Sequence, residues 1–101
     1  MTEFTRVAGA GEIAAGAGKI VDVNGNPVAV WNINGNYYAF QNVCPHRGGP
    51  VGEGEIEGNI ITCPWHGFRF DVTNGACAQN PAMKISTYEV RVEGNDIKIG
   101  A

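Results

Sequence analysis

The apolar residues of this chain fall in short runs separated by glycine and asparagine. Lys19 to Val23, Val28 to Ile33, Tyr37 to Phe40, Ile60 to Cys63, Phe68 to Val72, Ile85 to Val92 and Ile97 to Ile99 are of strand length and rich in β-branched or aromatic side chains. Near the end the alternation is explicit. Tyr88, Val90 and Val92 take one parity and Glu89, Arg91 and Glu93 the other, then Glu93-Gly94-Asn95-Asp96 turns the chain into Ile97-Lys98-Ile99. Period two with charged partners predicts a half-buried antiparallel strand. Asn-Gly pairs at 24-25, 34-35 and 74-75 supply the positive φ angles that tight hairpins need. The Ala/Gly stretch from 8 to 18 holds too much glycine to propagate a helix beyond one turn near Glu12-Ile13. The pattern predicts an all-β domain, a small barrel or sandwich.

With 101 residues the chain has room for one domain, 1–101, with one core and one site. A net charge of -3 disfavours nucleic acid, and no polybasic run or arginine cluster suggests a phosphate partner, so no nucleic acid is expected as a partner. Glu3 and Arg6 interrupt the start of the chain, and no apolar stretch reaches the length of a membrane span or signal segment. A cytoplasmic protein with no membrane partner is expected. In that reducing compartment Cys44, Cys63 and Cys77 are thiols or metal ligands rather than a disulfide framework.

One segment departs from the strand pattern. From about Cys44 to Gly58 the chain is rich in glycine and acid, and it lies between two apolar strands, where a long irregular loop is usually functional. It opens on Cys44-Pro45-His46-Arg47-Gly48-Gly49. After sixteen intervening residues comes Cys63-Pro64-Trp65-His66-Gly67, so Cys-x-His and Cys-x-x-His together use both histidines of the chain and two of its three cysteines. A single tetrahedral zinc ion could take these four donors, which would make a colourless interaction module. Zinc-finger spacing pairs like with like, however, and one sulfur and one nitrogen on each arm point instead to two metals. In a two-iron, two-sulfide cluster with mixed ligation, two imidazoles replace two thiolates on one of the irons.

These motifs, followed by Phe70-Asp71, Gly75 and Pro81-Ala82, resemble the Rieske iron-sulfur domain over nearly the whole chain. The likeness is strongest to the small Rieske-type ferredoxins of bacterial multicomponent oxygenases. It implies stacked antiparallel sheets with a cluster-binding subdomain, about 41–82, at one end of a β base, and a third loop around Asn80-Pro81-Ala82 over the cluster. It implies one [2Fe-2S] cluster held by Cys44, His46, Cys63 and His66, with the cysteines on the buried iron and the histidines on the solvent-facing one. It also implies a monomeric one-electron carrier, not itself an enzyme, between a flavin-containing NAD(P)H reductase and a terminal ring-hydroxylating oxygenase. The alternative is the small Rieske subunit of a cytoplasmic NADH-dependent nitrite reductase.

Quinol-oxidising members of the family carry a disulfide across the ligand loops, where this chain has Gly49 and Trp65. They also direct a serine and a tyrosine hydroxyl at the cluster, where it has Phe68 and Phe70. Hydrogen bonds to sulfur favour the reduced state, so a potential at the low end of the roughly -150 to +300 mV Rieske range is expected. The remaining residues have plain readings. Cys77 is a small buried or semi-exposed residue rather than a ligand or redox switch, Arg47 a solvated loop charge or a docking charge, Glu53, Glu55 and Glu57 the outer face of a strand-like connector or an acidic docking patch, and Phe68 and Phe70 core strand residues. Pro45, Pro64 and Pro81 stiffen their loops, and Trp65 either faces a partner or shields the cluster.

Overall fold

The structure is a computed structural model that describes residues 4–43, 49–65, 67–80 and 82–100. Among them run nine strands: β1 (Phe4–Gly9), β2 (Gly18–Val23), β3 (Asn26–Ile33), β4 (Asn36–Gln41), β5 (Glu55–Glu57), β6 (Ile60–Thr62), β7 (Arg69–Asp71), β8 (Thr87–Glu93) and β9 (Asp96–Gly100). The named pairs are all antiparallel. They make a six-stranded sheet in the order β1-β9-β8-β4-β3-β2 and a three-stranded sheet in the order β5-β6-β7. The larger sheet curls until its two edge strands, β1 and β2, approach one another. No helix among the described residues is long and apolar enough to cross a membrane.

The hairpins follow from the turn residues. Asn24-Gly25 and Asn34-Gly35 join β2 to β3 and β3 to β4 with φ of 54° and 84°, then 54° and 89°, the two left-handed residues of a type I′ turn. Each glycine N–H is taken by a side chain on the preceding strand, Asp22 Oδ1 or Asn32 Oδ1, at 2.8 Å. The third pair behaves otherwise. Only Gly75 is left-handed, and it closes a wider turn in which its N–H donates to the Asp71 carbonyl.

Strand β3 explains how the two sheets share a core. Val28 and Val30 face the inside of the curled sheet with Val23, Ala39, Ile97 and Ile99. Ala29 and Ile33 face the other way and pack with Phe40 against Ile61, Cys63, Phe70 and Val72 of the smaller sheet and its loops. A strand covered on both faces reads as a continuous apolar run, and Val28, Ala29 and Val30 are all fully buried.

The structure corrects the sequence reading in three places. Phe4–Gly9 is a strand, paired with β9 through a register shift between Arg6 and Ala8. Within the segment from Cys44 to Gly58, Val51–Glu53 forms a 3-10 turn and Glu55–Glu57 a short strand, which is more order than a loop. Val92 is 48 % exposed although its parity points inward. Strand β8 pairs with β4 only at Thr87 and Tyr88, so further along it has β9 on one side and no strand on the other. The expected single turn near Glu12 is present as a 3-10 turn over Ala10–Glu12.

Candidate metal centre

Cys63 follows β6 and is 1 % exposed. Its N–H donates to the Phe68 carbonyl at 2.7 Å, and its carbonyl accepts the Gly67 N–H at 3.0 Å, so Cys63 is tied to Gly67 and Phe68 in a closed turn between β6 and β7. Gly67 takes φ of +72°, a conformation that side chains disfavour, at the point where the turn reverses. Pro64 and Trp65 stand exposed at its tip.

The other cysteine-bearing segment is anchored at both ends. Before it, the Val43 carbonyl accepts a bond from Gln41 Nε2 at 2.6 Å. After it, Gly49 is buried, and a Cβ built there would lie 2.9 Å from the Trp65 ring and 3.2 Å from Cys63 Sγ. Glycine is what lets this backbone come so close to the sulfur. Beyond Gly49 the chain is locked onto the larger sheet: the Gly52 N–H donates to Asn42 Oδ1 at 2.7 Å and its carbonyl accepts Trp31 Nε1 at 3.0 Å. The structure therefore brings the end of the first motif against Cys63 of the second. Cys44, His46 and His66, with Pro45, Arg47 and Pro81, lie outside the described residues. Among the described residues no three His, Cys, Asp or Glu side chains converge.

The third loop is fastened to β7. Phe70 bridges Cys77, the Ala78 N–H donates to the Arg69 carbonyl at 2.7 Å, and Asn80 closes its own turn by accepting N–H groups from Ala82 and Met83 at 3.0 Å. Gln79 joins this loop to the Cys63 turn, donating from Nε2 to the Gly67 carbonyl at 3.0 Å and accepting the Arg69 N–H at 2.9 Å. Of the two sequence readings of Cys77, buried or semi-exposed, the structure selects burial in the core, with its sulfur 3.7 Å from Gln79 Oε1. Phe70 is fully buried and Phe68 packs against the same core. Glu53 and Glu55 are exposed and line an open depression with Cys63, Pro64 and Gly67. Gln41, Asn42, Gln79 and Trp31 are missing from the sequence reading. Neutral amides and a single tryptophan leave no spacing pattern, and only the folded backbone shows which groups they meet.

The residues present fit an iron-sulfur group. The two motifs together carry two thiols and two imidazoles, and one thiol is sheltered from water and faced by a glycine of the other motif. Comparison with known proteins agrees. Residues 3–89 match the Rieske [2Fe-2S] domain. The ferredoxin component of the naphthalene 1,2-dioxygenase/salicylate 5-hydroxylase systems of a Ralstonia species is 40 % identical over 74 residues, 72 % of this chain and 71 % of that protein. A solved complex of reduced oxygenase and oxidised ferredoxin in carbazole 1,9a-dioxygenase includes a chain 28 % identical, with TM-score 0.87, covering 95 % of this chain and 91 % of that one. A candidate NADH-dependent nitrite reductase small subunit from Mycobacterium tuberculosis superposes with TM-score 0.93 over 100 % of this chain and 96 % of that one. At 22 % identity it shares the fold alone. With most of its length matched, and with Gly49 of the first motif closed on the buried Cys63 of the second, the chain belongs to the Rieske [2Fe-2S] domain family.

Proposed function

We propose that the protein is a one-electron carrier, the ferredoxin component of a ring-hydroxylating oxygenase system and not itself a catalyst. It takes electrons from a flavin-containing NAD(P)H reductase and delivers them to a terminal oxygenase, acting as a cytoplasmic monomer. Residues 41–82 form the cluster-binding subdomain within the β base. The observation that carries this reading is the buried sulfur of Cys63, closed into its turn and faced by Gly49 of the Cys-x-His motif. The naphthalene and carbazole dioxygenase ferredoxins support the choice of partner.

Cys44 and Cys63 would bind one iron as thiolates, and His46 and His66 the other as neutral imidazoles. The bound cluster supplies one-electron transfer. The chain's own part is to exclude water at Cys63, to hold its turn through the Phe68 and Gly67 backbone bonds, and to present Pro64 and Trp65 to a partner. Trp65 is 57 % exposed while part of its indole covers Gly49, so one residue can serve both as a contact surface and as a shield. Phe70 brings no hydroxyl to the site.

Direct voltammetry of the purified, anaerobic protein tests this reading. A reversible one-electron wave near or below roughly -100 mV is expected. A wave above about +100 mV would contradict the low-potential assignment and return a quinol-type partner. A colourless protein loaded with zinc would overturn electron transfer altogether. Stable copurification with one large haem and flavin protein, in place of salt-sensitive association with a reductase and an oxygenase, would favour the nitrite reductase subunit.

A further inference from the structure

Two glutamines hold the ends of the ligand-bearing motifs in the same way. Gln41, the last residue of β4, donates from Nε2 to the Val43 carbonyl at 2.6 Å, one residue before Cys44, and its Oε1 accepts the Ser86 N–H at 2.7 Å. Gln79 donates from Nε2 to the Gly67 carbonyl at 3.0 Å, one residue after His66, and its Oε1 accepts the Arg69 N–H at 2.9 Å. Each amide uses its donor on a carbonyl next to an expected ligand. Each uses its acceptor on an N–H of the scaffold: Ser86 leads into β8, and Arg69 opens β7.

Burial does not force these contacts. Gln79 is exposed and Gln41 only half-buried, so both side chains could be satisfied by water. Holding a long side chain in one geometry costs rotamer entropy, which the two bonds at each site offset. A neutral amide also adds no formal charge beside the centre, as lysine or glutamate would, so the backbone is fixed without changing the charge around it. Gln79 also precedes the Asn80 turn, so a single side chain registers the third loop against the Cys63 turn.

We propose that Gln41 and Gln79 are positioning residues for the two ligand-bearing motifs, fixing the carbonyls that flank Cys44 and His66 so that these donors meet the cluster in one arrangement. The inference rests on Cys44 and His66 being ligands. Hydrogen bonds to the groups beside a metal's ligands set ligand orientation and metal retention.

The test compares cluster-loaded wild type with Gln41→Leu, Gln79→Leu, Gln79→Glu and Tyr37→Phe. Tyr37→Phe removes a comparable bond, Tyr37 Oη to the Ala10 carbonyl at 2.8 Å, from a half-buried side chain packed against the core of the larger sheet. The readouts are nitrogen couplings of the reduced protein by pulsed electron paramagnetic resonance, iron release to a chelator, and the thermal midpoint. Gln79→Leu is expected to change the nitrogen couplings and release iron about tenfold faster, the scale that loss of two hydrogen bonds entails. Gln79→Glu keeps the acceptor for Arg69 but loses the donor, and should change the couplings as the leucine variant does. Gln41→Leu should speed iron release and leave the nitrogen couplings as in wild type. Tyr37→Phe should lower the thermal midpoint alone. Glutamine variants that behave like Tyr37→Phe would overturn the proposal by reducing both residues to general stabilisers. Absence of nitrogen couplings in wild type would remove the ligand assignment and the proposal with it, which tells the two failures apart.

Discussion

A methyl group at Gly54 has nowhere to go. A Cβ built there would lie 1.7 Å from the Thr62 carbonyl oxygen, and no side-chain movement can relieve a clash with backbone. Gly54→Ala must therefore push β5 and its lead-in away from β6, next to Cys63. Overpacking of this kind costs about 1–3 kcal/mol or more. At Gly11 nothing lies within 4 Å and φ is not left-handed, so Gly11→Ala should stay within about 0.5 kcal/mol of wild type. Denaturant midpoints of the two variants check this, and equal midpoints would mean that the β5–β6 approach is slack. Residue identity also decided how much of the site could be read. Cys44, His46, Cys63 and His66 were legible as candidate ligands because metals demand sulfur and nitrogen at short spacing. Gln41 and Gln79 were not, because an amide can bind almost any backbone group and only the fold selects which.

At the scale of elements, turn chemistry was the most readable feature. Asn24-Gly25 and Asn34-Gly35 form the predicted hairpins because few other residues accept two successive left-handed conformations. The element at Ala10–Glu12 depends on one carboxylate. Glu12 accepts the Gly9 N–H and lies 3.3 Å from Lys19 Nζ. The Gly9 bond first, and then Lys19, hold its carboxyl below the usual carboxylate range. A folded-state value below the unfolded one stabilises the protein at pH above the unfolded value, and the benefit is lost as pH falls through the folded value. Glu12→Gln should therefore be less stable than wild type at neutral pH and converge with it in acid, as urea midpoints across pH would show. A constant difference at all pH values would separate the Glu12 charge from the stability of the turn. Strands β1 and β5 were poorly legible for a related reason. Each is held by its ladder, β1 to β9 and β5 to β6, and neither carries an apolar run long enough to declare itself.

The molecule as a whole contains two cores of different dependence. The interior of the larger sheet, Val23, Val28, Val30, Ala39, Ile97 and Ile99, closes without help from the site. The smaller sheet consists of three strands of three residues each, and the turn that follows β6 carries Cys63. Metal-binding free energy is folding free energy for such a region. Chelation of the iron should leave amide protection in β3 and β9 while exchange in β6 and β7 rises by about tenfold or more. Hydrogen exchange would decide it, and equal loss in both sheets would show a single cooperative unit.

The sequence by itself determined where most strands and the hairpin turns fall and which four side chains are the candidate donors. Those properties depend on residue chemistry at short range: period-two apolarity, left-handed turn residues, sulfur and imidazole at fixed spacing. Tertiary structure alone decided that β3 is covered on both faces, that Val92 is left exposed where β8 runs past β4, and that Gly49 closes on Cys63. It also decided that Gln79 ties the third loop to the second motif. These contacts join residues brought together only by strand order and sheet packing, and local pattern carries no information about which surfaces will meet.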